Sequence, residues 1–277
     1  MRMRLAMLGM TVLVATSCGV DYAPDAMEAG RAQITDALNS AVHQGYPGAQ
    51  AVITDHGHTW TVTTGVADLN TGLPFPDHAR LRIASNTKPF VATVMLQLVA
   101  EGKVELDAPV ERYLPGVVHG PGIDGNRITI RNLLQHTSGL PEYTAEFGTP
   151  PEPGQIAGLT EEVRWGTTDI AATVRNALTT PADFEPDAQW AYANTNYAVA
   201  GMVIEEITGN PIGTEITHRI IEPLGLRDTY YPSPDEVDIR GPHPKGYTDI
   251  SGVRVDYTSQ NVSWAGAAGA MSPPART

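Results

Sequence analysis

Apolar positions recur along this chain with two different periods, and the switches between them predict most of its elements. Over residues 26–42, Ala26, Ala29, Ile34, Ala37, Leu38 and Val42 fall mostly on one helical face, which predicts an amphipathic helix. Gly45, Pro47 and Gly48 stop it. The pattern then turns β-rich over 49–54 and 59–66, two runs around Asp55-His56-Gly57-His58 that read as an antiparallel hairpin. The pair His56 and His58 invites a metal reading, but a hairpin tip with no third ligand nearby does not carry one. Residues 69–82 are turn-rich and lead to a strong helix from about Lys88 to Glu101, with Gly102 as its stop.

Beyond that point the chain becomes helical and rich in loops. Residues 129–135 read as a short helix with Leu133 and Leu134 inward, ended by His136-Thr137-Ser138-Gly139-Leu140-Pro141. A Pro/Gly loop covers 150–158, and a helix over 168–178 has Asp169 in its first turn. Another helix is expected over 196–208, stopped by Gly209 and Pro211, with 212–221 continuing helically. Weaker strand signals return at 247–248 and 253–257. No repeat and no clean linker divide the chain, so the expected architecture is α+β, with a helical subdomain at about 105–225.

The first residues stand outside that pattern. Arg2 and Arg4 precede a short apolar stretch over 5–14 and the small residues Ala15, Thr16 and Ser17, the layout of a signal peptide. Residues 1–25 are therefore read as signal peptide and exposed N-terminus, and the protein as exported. Cys18, the only cysteine, resembles the lipidation site of bacterial lipoproteins, which would anchor the chain on the outer face of the cytoplasmic membrane. The alternative is that it leaves with the signal, since Ala15 stands where such signals usually carry Leu. A single cysteine excludes an intrachain disulfide or a cysteine metal cluster. With 42% hydrophobic and 18% charged residues the 277-residue chain has a globular balance. Lys+Arg 18 against Asp+Glu 31 gives −13, which argues against nucleic acid as a partner.

Two short constellations carry candidate chemistry. Ser85-Asn86-Thr87-Lys88 places a hydroxyl three residues before an amine at a helix start, so both side chains share a face. Lys88, crowded by the positive helix end, would lose its proton more easily and could accept one from Ser85. The plain alternative is a capping serine beside a solvated lysine. In Tyr192-Ala193-Asn194, an extended backbone would point Tyr192 and Asn194 the same way. A phenol can relay a proton once cations lower its pKa, and a carboxamide can bind a substrate amide. The alternative is an ordinary turn in which Asn194 or Thr195 caps the next helix.

Taken in order, Ser85-x-x-Lys88, His136-Thr137-Ser138-Gly139-Leu140 and Tyr192-x-Asn194 resemble the penicillin-recognising serine hydrolases. Within them the chain is most similar to the class C β-lactamase-related group that includes secreted D-alanyl-D-alanine carboxypeptidases. The likeness runs from about Ala26 to the last residue. It implies a β-lactamase/transpeptidase-like fold: an antiparallel sheet flanked by helices plus a helical subdomain. It also implies Ser85 as acylated nucleophile, Lys88 as its activating neighbour, Tyr192 as general base or relay, and Asn194 as a hydrogen-bond donor to substrate. The Ser85 backbone N–H would supply half of an oxyanion hole. No metal or organic cofactor is implied. His136 to Pro141 reads as a structural loop, because no Gly-x-Ser-x-Gly elbow accompanies His136 and Ser138.

One departure shapes the expectation. Such proteins carry Lys-Thr-Gly or His-x-Gly on a strand downstream of Tyr-x-Asn, and no such motif follows Asn194. His243-Pro244-Lys245-Gly246 comes too early, and its proline makes it a poor strand. The domain over 26–277 is thus expected to be incomplete, with C-terminal strands missing. The leading functional expectation is acyl-enzyme hydrolysis of D-alanyl-D-alanine peptides or β-lactams. A small-ester hydrolase on the same nucleophile, and a non-catalytic remnant, are the alternatives.

Overall fold

The computed structural model describes residues 24–55, 57–147, 161–250 and 253–272. The leader with Cys18, His56 and the 150–158 loop lie outside them. In chain order the helices and strands are α1 (Pro24–His43), β1 (Gly48–Asp55), β2 (His58–Gly65), α2 (Thr87–Ala100), β3 (His119–Gly120), β4 (Ile123–Asp124), α3 (Ile130–Gln135), α4 (Glu161–Trp165), α5 (Ile170–Ala177), α6 (Asn194–Thr208), α7 (Ile212–Ile216), β5 (Tyr247–Ile250), β6 (Val253–Asp256) and α8 (Gly266–Gly269). Among the described residues the strands form three antiparallel pairs, β1–β2, β3–β4 and β5–β6.

Two compact units divide the described residues, one taking those up to 81 and those from 239 to 258, the other those from 82 to 238 and from 259 onward. In the first, β1 and β2 pair in continuous register from Gly48↔Gly65 to Asp55↔His58. Ile34, Leu38 and Val42 of α1 are half-buried, as the helical stripe predicts. The β5–β6 hairpin is tied into the same unit by Lys245 N–H to Ala67 O at 2.7 Å and by Arg254 to Gly45 O at 3.0 Å.

The second unit is helical and carries the larger core. Val91, Val94, Met95 and Leu98 of α2 are fully buried, with Leu133 of α3, Val174 of α5, and Val199, Val203 and Ile204 of α6. Because α2 packs against α6 and α8, this unit begins at Arg82, well before the 105 that the sequence pattern marks as the start of a helical subdomain. Local chemistry sets the ends of the helices. Thr129 and Asn132 close a capping box on α3, and Asp169 is the N-cap of α5, one step earlier than the first-turn position expected. Gly209, at φ 69°, ends α6. Past α7 the helix widens into a π turn over Thr217–Ile221. Gly201 of α6 lets α8 approach closely, since a Cβ there would lie 2.6 Å from that of Ala267.

Candidate active site

Every residue of the candidate site lies in the helical unit. A 3₁₀ turn over Ala84–Asn86 precedes α2, with Ala84 in the left-handed region at φ 46°. This turn leaves the Ser85 hydroxyl exposed, while Lys88, one turn on, is only 5% exposed. Pro89 falls in the first turn of α2, where a missing N–H does no harm. Asn86 is the N-cap of α2, without a side-chain cap bond, and Ser85 caps nothing. The reading of a capping serine beside a solvated lysine therefore fails.

Lys88 Nζ reaches three oxygens: Ser85 Oγ at 3.1 Å, Asn194 Oδ1 at 2.8 Å and the Ala268 carbonyl at 2.7 Å. It also lies 4.7 Å from the Tyr192 ring centroid and 5.6 Å from that of Tyr197. Burial lowers its pKa to about 8, against the opposing charge of Glu142. The expected lowering is present, but its first cause is desolvation and not the end of the helix. An ammonium has three N–H donors and a neutral amine two. Asn194 Oδ1 and the Ala268 carbonyl can only accept. When Lys88 loses its proton they keep the two remaining N–H groups, and the lone pair is left facing Ser85. Ser85 alone of the three can reverse its hydrogen bond and donate.

Tyr192 supplies the second partner of Ser85, its phenol O–H donating to Oγ at 2.6 Å. Ala193 is extended, at φ −139° and ψ 130°, so Tyr192 and Asn194 do face the same centre. Burial pushes the Tyr192 phenol up, with the Ser85 hydrogen bond opposing and Glu142 adding. This corrects the expectation of a phenol lowered by cations. The two groups flanking the Ser85 hydroxyl are thus a phenol raised by burial and an amine lowered by it. Neither Asn194 nor Thr195 caps α6, because Asn194 is already its first residue. Asn194 spends one amide hydrogen on Glu142 at 3.2 Å, and the other can donate to a substrate carbonyl.

The His136–Pro141 loop is structural, as expected, and it also builds the site. His136 turns the chain at φ 59° and stacks on Tyr192 with centroids 4.5 Å apart. Its Nδ1 accepts from Ala193 N–H at 3.3 Å, and burial, helped by Lys88, lowers its pKa. Ser138 is 1% exposed and bonded to Asn196 Oδ1 at 2.5 Å and to Leu140 N–H at 3.1 Å, so it is held as structure. Gly139 has φ 74°, and a Cβ there would stand 1.9 Å from the Phe184 carbonyl oxygen. Gly139→Ala should therefore destabilise the protein by about 2–4 kcal/mol, through left-handed strain plus a backbone clash. Thermal unfolding checks it; an unchanged melting temperature would show that the loop shifts freely.

Glu142, directly after this loop, is the site residue that sequence reasoning passes over. Its Oε2 accepts from Asn194 N–H at 2.7 Å as well as from Nδ2, and Oε1 accepts from Thr144 N–H at 3.0 Å. Nothing local marks it, since Asn194 is 52 residues away.

The Beta-lactamase family model matches residues 25–276. Esterase EstB of Burkholderia gladioli is 34% identical over 206 residues, 72% of this chain and 50% of the esterase. A D-stereospecific amidohydrolase from Streptomyces sp. superposes with TM-score 0.78 at 40% identity, covering 89% of this chain and 70% of that one. The D-amino acid amidase from Ochrobactrum anthropi SV3, complexed with L-phenylalanine amide, gives TM-score 0.66 at 30% identity, over 87% and 65%. The chain spans about a third to a half of the length of the curated relatives it matches.

Proposed function

Because the chain belongs to the β-lactamase family, we propose that it is a serine hydrolase working through an acyl-enzyme on Ser85, with amides of D-amino acids as its substrate class. The carrying observation is the Ser85 hydroxyl held between a protonated phenol at 2.6 Å and a buried amine at 3.1 Å. In acylation, neutral Lys88 takes the Ser85 proton as Oγ bonds to the substrate carbonyl carbon. The C–N bond then breaks, Tyr192 protonates the leaving amine, and the lysine proton restores the phenol. Water later attacks the ester by the same proton path. The Ser85 backbone N–H serves the oxyanion, and the free amide hydrogen of Asn194 orients the acyl group.

The amidohydrolase and the amidase support the D-amino acid class. D-Alanyl-D-alanine peptides belong to the same chemical class, because their scissile bond joins a D-acyl group to an amine, and a putative D-alanyl-D-alanine carboxypeptidase of Escherichia coli is 30% identical over 154 residues. A small-ester substrate is the second reading, favoured by the likeness to EstB. Export, with Cys18 as a lipid anchor, remains part of the proposal on the strength of the leader pattern.

A substrate panel tests this. D- and L-phenylalanine amide, an acylated D-alanyl-D-alanine, a penicillin and p-nitrophenyl butyrate are incubated with the protein, and products and adducts are read by mass spectrometry. The expected result is hydrolysis of the D-amide well above the L-amide, with trapped acyl groups on the peptide holding Ser85. Ester turnover without D-amide turnover would transfer the assignment to the esterase reading, and no adduct on Ser85 with any compound would end both.

A further inference from the structure

We propose that Glu142 is a positioning residue that fixes the hand of the Asn194 carboxamide and so aims Lys88 at Ser85. The inference rests on the acyl-enzyme reading above and adds a role that neither short motif contains.

The argument begins with which atoms face Glu142. Three N–H donors converge on its carboxylate: Thr144 N–H on Oε1, and Asn194 N–H and Nδ2 on Oε2. An ionised carboxylate is acceptor-only and suits three donors, whereas glutamine or a protonated acid would set a donor against a donor. An asparagine amide can be seated in two ways that differ by a half-turn. With Nδ2 drawn to Glu142, Oδ1 is obliged to face Lys88, at 2.8 Å. The reverse seating would place an NH₂ group against an ammonium and a carbonyl against a carboxylate, two repulsive contacts. Glu142 thus selects the seating that leaves Lys88 with two pure acceptors, Asn194 Oδ1 and the Ala268 carbonyl, and one reversible partner, Ser85.

The charge of Glu142 has a second effect on the same lysine, since it favours the ammonium and opposes the lowering by burial. The other titratable groups facing Lys88 are the Tyr192 and Tyr197 rings and His136, whose own proton affinity Lys88 depresses. From α8 only the Ala268 carbonyl reaches it. Among the described residues, Glu142 is the anion whose charge acts on Lys88. Its removal should therefore leave Lys88 neutral at lower pH while making its aim worse.

The test measures the single-turnover acylation rate with p-nitrophenyl butyrate against pH for wild type, Glu142→Gln and Glu142→Ala, beside thermal unfolding. Wild type must first give an adduct on Ser85 with p-nitrophenyl butyrate or, failing that, with another compound of the panel, which then replaces it in the assay; if none does, the acyl-enzyme reading falls and takes this inference with it. Expected is a plateau rate lower by about 10²-fold in both variants, the scale of a misplaced catalytic group, with half-saturating substrate little changed. The acid limb of the profile should move to lower pH. Should Glu142→Ala fail to fold, Glu142→Gln has nearly the same shape and carries the test alone. If wild type is acylated and the variants keep its rate or its acid limb, losing only thermal stability, Glu142 is a cap on two helical turns and the inference is overturned.

Discussion

Ser85→Ala is expected to lower turnover of the preferred substrate by about 10⁶-fold, the scale seen when a serine hydrolase loses its nucleophile, while folding is kept. The Ser85 side chain is exposed and outside the core, and among the described residues its Oγ bonds Lys88 and Tyr192, so its removal opens no cavity. Ser138, the nearest rival in the sequence, is buried with its hydroxyl committed to Asn196 and Leu140. Steady-state rates and adduct mapping check this together. Turnover within tenfold of wild type, in a preparation free of it, would remove Ser85 from the mechanism.

Lys88→Met should slow acylation by about 10²–10⁴-fold, the usual worth of a general base, and should also change how stability depends on pH. In wild type, kcat/KM should rise with pH until about 8, where the Lys88 amine becomes mostly neutral. For stability the sign follows from proton counting. The folded pKa is about 8 and the ordinary lysine value 10.5, so between them the unfolded chain binds the extra proton. Stability contributed by this group therefore increases as pH rises through that window and is lost below it. Urea midpoints of wild type, measured from pH 7 to 10, should carry that slope, and Lys88→Met should not. The same slope in both proteins would place its origin elsewhere; a Lys88→Met enzyme with full activity would reassign the base.

The parts of this molecule that were readable from the chain alone are those whose causes are local. The β1–β2 hairpin shows as two β-rich runs around a turn, α1 as a stripe, and α3 as an apolar pair ended by a turn. Ser-x-x-Lys and Tyr-x-Asn are also local, and both meet at one centre. What the chain conceals are partners supplied from far along it. Burial leads in depressing the pKa of Lys88, and burial by α6 and α8 is a tertiary effect that the local helix end does not reveal. The same burial reverses the direction expected for Tyr192. Glu142 bears no mark of its role, since only folding brings its carboxylate to Asn194. Helix α8, four small residues long, has no periodicity to detect, and what it gives Lys88 is a backbone carbonyl that any residue type could provide.

That carbonyl has a consequence for the order of events at the ribosome. Ala268 follows Lys88 by 180 residues. At translation speeds of about 5–20 residues per second, roughly 10–40 seconds separate the synthesis of the amine from that of its acceptor. Asn194 follows Lys88 by 106 residues, so the lysine first lacks both fixed acceptors that turn its lone pair toward the serine and then, until Ala268 is made, still lacks one. On the proposed acyl-enzyme mechanism, the nascent chain is expected to stay inert toward acylating compounds until α8 has docked. Covalent labelling of stalled chains would then report the docking of α8 as a step, and not as a gradual gain.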